Sequence, residues 1–322
     1  MTAIGASPGE RTLPARPTIG LALGGGGARG FAHILMLEAC EALGVRPAII
    51  AGTSIGAVIG AAYASGLSAR MLRAHTEEAL SQRFDVLRQL YAARSEPVAR
   101  FLNVIPIRSA LLNPRVVLEL LLPGKVARSF AGLEIPLRVV ATDFLAQEQI
   151  VLERGDLRTA IAGSMALPAL FAPVSFEGRL LMDGALVNPL PFDVLAGAAD
   201  ITVAVDVSAG STGEAGRAAP SALSALIAAS QIMQRSIVRE KLASRRPDIY
   251  IDVEVDAFTV LDFHRFRAIL DAAAPAQARL KRELEDRLRA WEASPAPAPS
   301  TDEPPPTPSA AAPASVPRCD QS

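Results

Sequence analysis

From Pro47 to Ala69 the chain runs for 23 residues without a charge. A stretch that long either crosses a membrane or lies inside a folded domain. Its internal order favours the second. Apolar β-type residues at 48–51 lead into Gly52-Thr53-Ser54-Ile55-Gly56, and a small-residue helical pattern follows, with glycines at 52, 56, 60 and 66. The run therefore reads as a strand, a tight turn and a buried helix rather than one membrane-spanning rod.

The rest of the chain supports an α/β interior. Half of the 322 residues are hydrophobic, 20% are charged and the formal net charge is −1, which excludes a disordered chain. With one Trp, three Tyr and near-neutral charge, there is neither a basic footprint nor an aromatic platform for nucleic acid. Strand-length apolar runs recur at 18–23, 48–51, 137–142, 179–182, 201–207 and 249–253. Helical patterns at 30–43, 55–66, 68–92, 114–122, 157–163, 191–197, 221–245 and 265–291 separate most of them, the alternation that builds a mostly parallel sheet with helices on both faces.

The ends differ from this interior. Residues 1–17 lack periodicity and 294–322 are largely Pro, Ala, Ser and Thr, so both are expected to be disordered arms around a single domain at 18–293. Residues 208–220 read as a small-residue surface loop. Two cysteines, Cys40 and Cys319, cannot build a disulfide framework, and Met1–Pro17 has no apolar core behind a basic head. A cytoplasmic protein is expected, peripheral at most on the inner face of the membrane.

Strand 18–23 runs directly into Gly24-Gly25-Gly26-Gly27-Ala28-Arg29-Gly30 and then a helix. Such a loop presents unpaired N–H groups at a helix N-terminus, where an anion is favoured. A phosphate-binding P-loop would need Lys-Ser/Thr after the last glycine, but Phe31-Ala32 follow. A dinucleotide site would need an acid near the end of the second strand, but that strand reads Ile49-Ile50-Ala51-Gly52. Gly25, Gly27 and Gly30 formally meet the dinucleotide pattern, but of the three anions a transient oxyanion is favoured.

A Gly-x-Ser-x-Gly sequence between strand and helix is the context of a nucleophile elbow, and it starts 22 residues after Gly30. Adjacent parallel strands would set loop and elbow side by side, one offering Ser54 and the other preorganised donors. What would activate Ser54 is less direct. An α/β-hydrolase order would leave His264 as its His, but several strands should then precede the elbow and only one does. His33 precedes Ser54, and His75 lies in a helix with Glu77 and Glu78. The alternative is a carboxylate acting directly. Asp143, Asp183 and Asp206 stand at strand ends; Asp183-Gly184-Ala185 is the most suggestive, because glycine allows a close turn, although an aspartate there could equally cap helix 191–197 or bond its own backbone.

Gly25-Gly26-Gly27-Ala28-Arg29-Gly30, Gly52-Thr53-Ser54-Ile55-Gly56 and Asp183-Gly184-Ala185, in that order, resemble the bacterial patatin-like phospholipases, in the group similar to the neuropathy target esterase catalytic domain. Segments 140–143, 160–174 and 188–192 extend the resemblance, which covers about 18–291. It implies a three-layer α/β/α fold with a mostly parallel central sheet and a Ser–Asp dyad without catalytic His, metal or cofactor. Ser54 would be the nucleophile, Asp183 the general base, and the N–H groups of Gly25, Gly26, Gly27, Ala28, Arg29 and Gly30 the oxyanion hole. Gly52, Gly56, Gly184 and Ala185 complete the motifs. Arg29 falls on the family's basic position, where it could hold the loop, meet a phosphate or pair with a carboxylate; His33 is expected to be structural. Leu35 and Ala146-Gln147 depart from the common pattern and bear on pocket shape. The implied substrate is a lipid ester, phospholipid or lysophospholipid, reached by reversible membrane contact, with segments 101–122 and 221–238 as candidates for a lid or contact surface. A transacylase and a non-enzymatic adaptor on the same fold are the alternatives.

Overall fold

The computed structural model describes residues 16–92, 112–208 and 222–293. The expected arms lie outside them apart from Arg16 and Pro17, as do residues 101–111 of one candidate lid and 209–220 of the expected loop. Strands β1 (Ile19–Leu23) and β2 (Ile49–Thr53) are buried at every position, as central strands covered on both faces must be. They pair in parallel with each other. β3 (Leu137–Asp143) and β7 (Ile201–Asp206) add on either side, and β8 (Ile249–Asp252) extends the β7 edge, all parallel.

Three strands join the sheet through antiparallel pairs. β4 (Glu148–Leu152) and β6 (Arg179–Asp183) both pair antiparallel with β3, and β5 (Val174–Phe176) pairs antiparallel with β6. The result is an eight-stranded, mostly parallel sheet ordered β5-β6-β3-β2-β1-β7-β8, with β4 beside β3.

Strand alternation sorts the two faces. Leu21, Leu23, Ile50, Val203 and Val205 pack in one cluster with residues of α1 (Ala32–Ala42), α2 (Ile55–Ala64) and the long α7 (Phe266–Ala293). Ala22, Ala51 and Ala204 point the other way, into a cluster with Leu190, Phe192, Leu195 and Val238 of the helix Ala222–Ser244. Helical layers thus cover both faces, and alanine on the second lets its cover lie close. α3 (Ala69–Ala92), α4 (Pro114–Leu121) and α5 (Leu157–Ser164) complete that set before Ala222–Ser244, which is α6.

The helix expected at 191–197 is a single 3-10 turn, Asp193–Leu195. Pro191 disfavours helical backbone at Leu190 and supplies no N–H, while Gly197 at φ +69° ends the turn. An irregular segment therefore covers part of the alanine face.

Candidate active site

Register brings the motifs together. Leu23 lies opposite Gly52, so the glycine loop and the elbow leave the sheet side by side. Thr53 lies opposite Val140 and Asp183 opposite Ala141, so antiparallel β6 delivers its last residue level with Ser54.

Ser54 has φ 54° and ψ −121°, a conformation that costs a non-glycine residue about 1–3 kcal/mol and survives only where its surroundings enforce it. The enforcement is visible. The Ser54 N–H donates to Ser164 Oγ at 2.9 Å, and that hydroxyl donates to the Val140 carbonyl at 2.6 Å. The Ser54 carbonyl accepts from Ala57 and Val58, opening α2. A Cβ on Gly56 would lie 2.1 Å from the Leu23 carbonyl oxygen, and one on Gly52 2.6 Å from the Ala57 nitrogen, so this turn closes only with glycine at both places.

Ser54 Oγ donates to Asp183 Oδ2 at 2.9 Å. Asp183 Oδ1 accepts the Ala185 N–H at 2.9 Å, and the Asp183 carbonyl accepts Thr142 Oγ1 at 2.8 Å. The carboxylate thus bonds its own turn and meets the serine at once. A Cβ on Gly184 would approach the Val140 oxygen to 2.1 Å, which makes this turn as dependent on glycine as the elbow. Burial pushes the Asp183 carboxyl up to about 6, against the lowering effect of its bonds from Ala185 and Ser54.

The loop narrows the expected donor set. The Gly25 N–H already donates to the Pro189 carbonyl and the Ala28 N–H to the Val260 carbonyl, both at 2.9 Å, so neither is free to receive an oxyanion. Gly26 and Gly27 have no N–H acceptor among the described residues, and they are the members of the loop that line the cleft beside Ser54. Gly27 sits at φ +57°, where a Cβ would also strike the Val260 oxygen. Arg29 and Gly30 lie in the 3-10 turn Gly27–Phe31 and do not line the cleft.

Arg29 is buried and its Nε donates to the Gly26 carbonyl at 3.3 Å. It holds the loop from behind. Burial, then the charge of Arg235, lowers its guanidinium to about 10 while Asp206 and Asp256 oppose that, so it stays a cation at neutral pH. His33 is fully buried, with Nε2 2.8 Å from the Gly24 carbonyl; burial drops it to about 4, so the neutral ring donates from Nε2. His75 and His264 do not line the cleft either. Among the other strand-end acids, Asp143 accepts from Leu145, Ala146 and Arg179, and Asp206 from Ser208 and Tyr250.

The cleft above Ser54 has a volume of about 240 Å³. Val58, Val117, Met165, Leu170 and Phe171 form much of its wall, α6 adds Ile227, Ser230, Gln231 and Gln234, and Asp183 is its one ionisable group among the described residues. Asn188 and Lys241, absent from the expected set, tie this wall to the motifs through a part-buried polar node. Among the described residues no His, Cys, Asp and Glu cluster could hold a metal ion, and no helix is long and apolar enough to cross a membrane.

Comparison with known proteins gives the family. An uncharacterized NTE family protein of Mycobacterium tuberculosis is 37% identical over 207 residues, 63% of this chain and 53% of that one. Human patatin-like phospholipase domain-containing protein 6 is 34% identical over 193 residues, 59% of this chain and 13% of that protein. The chain thus spans about half the length of the first relative and a small part of the second. Among solved structures, VipD from Legionella pneumophila superposes with a TM-score of 0.42 at 16% identity, covering 84% of this chain and 67% of its own. The family model described as patatin-like phospholipase matches residues 21–196, more than half of the chain and a range that contains the three motifs, and the chain belongs to that family.

Proposed function

We propose that the protein is a serine lipid acyl hydrolase that cleaves carboxylic esters of phospholipids or lysophospholipids, with residues 18–293 as the catalytic unit. The observation that carries this reading is the 2.9 Å bond from Ser54 Oγ to Asp183 Oδ2 on the floor of an apolar cleft. Ser54 Oγ attacks the ester carbonyl while Asp183 takes its proton. The N–H groups of Gly26 and Gly27 receive the oxyanion, each such donor contributing about 3 kcal/mol. Collapse of the tetrahedral adduct expels the alcohol, protonated by Asp183, and leaves an acyl-Ser54 ester. Asp183 then deprotonates a water that attacks this ester, and the second adduct releases fatty acid and returns the proton to Ser54.

Proton affinity favours this assignment. A carboxyl near 6 is about two units more basic than an ordinary aspartate, yet still mostly ionised at pH 7. The uncharged wall suits an acyl chain, and the anionic floor disfavours a phosphate inside the cleft, so a charged headgroup would stay at its mouth. Leu226, Ile232 and Met233 are exposed on α6, the helix that also supplies cleft-wall residues, which supports reversible contact with a lipid surface. An aligned dyad would be needless in a non-enzymatic adaptor.

Fluorophosphonate labelling tests the assignment. Wild-type protein should label, Ser54→Ala should not, and a His33→Gln/His75→Ala/His264→Ala variant should label at a comparable rate. Labelling that survives Ser54→Ala removes the nucleophile; loss in the histidine variant restores a triad.

A further inference from the structure

The segment that follows Asp183 meets all three motifs within two residues. The Asn188 N–H donates to the Gly184 carbonyl at 2.8 Å, next to the proposed base. The Asn188 carbonyl accepts Thr53 Oγ1 at 2.9 Å, next to the proposed nucleophile. The Pro189 carbonyl accepts the Gly25 N–H at 2.9 Å, next to the proposed oxyanion donors. Any drift of the Asn188–Pro189 peptide would therefore move the three parts relative to one another.

The side chain of Asn188 is fixed as firmly as its backbone. Its Nδ2 donates to Gln149 Oε1 at 2.7 Å and Asp193 Oδ1 at 2.9 Å, and its Oδ1 accepts Lys241 Nζ at 2.5 Å. Lysine only donates and an ionised aspartate only accepts, so the amide can sit one way round. Lys241 uses its other two donors on the Leu190 carbonyl at 2.9 Å and Asp193 Oδ1 at 2.5 Å, and its ammonium lies 4.9 Å from the centre of the Phe192 ring. No proton of this ammonium is left for another acceptor. Lys241 belongs to α6, three turns or less from Gln231 and Gln234 of the cleft wall, so the same node ties that wall to the motif segment.

We infer that Asn188 and Lys241 are positioning residues for the hydrolysis proposed above: through the Asn188–Pro189 peptide they fix the mutual placement of Ser54, Asp183 and the Gly26–Gly27 donors. Neither lines the cleft, so neither touches the substrate. A misplacement of about 1 Å in such a constellation costs on the order of a hundredfold in rate. The inference rests on the hydrolase reading, and the test keeps the two apart.

The full chain would carry Lys241→Met, Lys241→Arg or Asp193→Asn, with the exposed Arg239→Met as control. The readouts are ester kcat per fluorophosphonate-titrated site, KM, and amide hydrogen exchange at Gly25 and Asn188. Lys241→Met should lower kcat per site about 10- to 100-fold with KM within about threefold, and speed exchange at both amides at least tenfold. Lys241→Arg should recover part of the rate, and Arg239→Met should match wild type. If Lys241→Met does not fold, Asp193→Asn, which keeps the side-chain shape, decides alone through a kcat drop of about 3- to 10-fold. Unchanged kcat per site in the folded variants, or a loss confined to KM, overturns the inference. A wild-type protein that neither labels nor hydrolyses overturns the hydrolase reading instead; exchange at Gly25 and Asn188 then decides, and unchanged rates sink the node.

Discussion

The chain leaves β3 and β6 through turns that each begin on an aspartate, and the two carboxylates start from the same local chemistry. Asp143 Oδ1 accepts the Leu145 N–H at 3.1 Å, and Asp183 Oδ1 accepts the Ala185 N–H at 2.9 Å. Their second oxygens part ways. Asp143 Oδ2 meets the half-exposed Arg179 guanidinium at 2.7 Å, whereas among the described residues Asp183 Oδ2 meets only the Ser54 hydroxyl. The Arg179 bond, with help from Ala146, holds Asp143 below the usual carboxylate range, while burial without a cation lifts Asp183 to about 6. One turn favours the ionised acid; the other, through burial, favours an acid able to take a proton. The difference lies in burial, which lifts Asp183 against its bond from Ser54, and in the Arg179 cation on Asp143, not in the turn.

Removing the basic member should have the largest effect. Asp183→Asn keeps the shape and the Ala185 bond but cannot accept the Ser54 proton, so kcat/KM should fall by about 10⁴ or more. Stability should move the opposite way. The folded carboxyl titrates near 6 and the unfolded one near its ordinary value, so the folded state binds the proton more tightly and wild type loses stability as pH rises through that window. Urea unfolding at pH 4 and pH 7 should find Asp183→Asn gaining about 2–3 kcal/mol relative to wild type between the two. A variant that loses activity without that gain would mean that Asp183 is not held uncomfortably ionised.

The next effect is smaller and sharpens the contrast. Wild-type kcat/KM should rise about tenfold per pH unit below an apparent pKa near 6 and level off above it, because only the ionised Asp183 can accept the proton. Asp143 is already ionised throughout that range. A profile flat between pH 5 and 7 would detach the rate from Asp183.

The physical contrast explains what was legible in the chain. Gly52, Gly56 and Gly184 each sit where a Cβ would strike backbone, so local sterics wrote the elbow and the Asp183 turn into short motifs. Long-range bonding left no such signature. Gly25 and Ala28 matched the loop as well as Gly26 and Gly27 did, and only Pro189 and Val260, more than 160 residues away, withdraw their N–H groups. β4 is half exposed with Glu148 and Gln149 in it, and β5 has three residues, too short to show a period. Asn188 stood in a recognised segment, but its role depends on Lys241, 53 residues on. The helix expected at 191–197, which is a single 3-10 turn, had its warning in Pro189 and Pro191. Asp143 and Asp206 could be demoted only once Arg179 and Tyr250 were seen to occupy them.

Arg179→Gln should have the smallest effect, and it is the direct attempt to break the comparison. The substitution removes the cation from the Asp143 turn and leaves the two backbone bonds from Leu145 and Ala146 in place. Asp143 remains anchored through them, and at neutral pH it remains ionised even at an ordinary carboxylate pKa. A half-exposed ion pair contributes little by itself, so hydrolysis should stay within about twofold of wild type and the apparent pKa of the rate should not move. The two turns are nevertheless linked, because Asp143 pairs with Leu181 and Ala141 with Asp183 in the same β3–β6 ladder. Were the ion pair needed to hold that ladder in register, Arg179→Gln would lower the rate in proportion to Asp183→Asn. Asp143 would then belong with Asn188 among the groups that position the base. A rate left intact would separate the two acids by function: Asp183, lifted by burial, serves the reaction, and the Arg179–Asp143 pair does not.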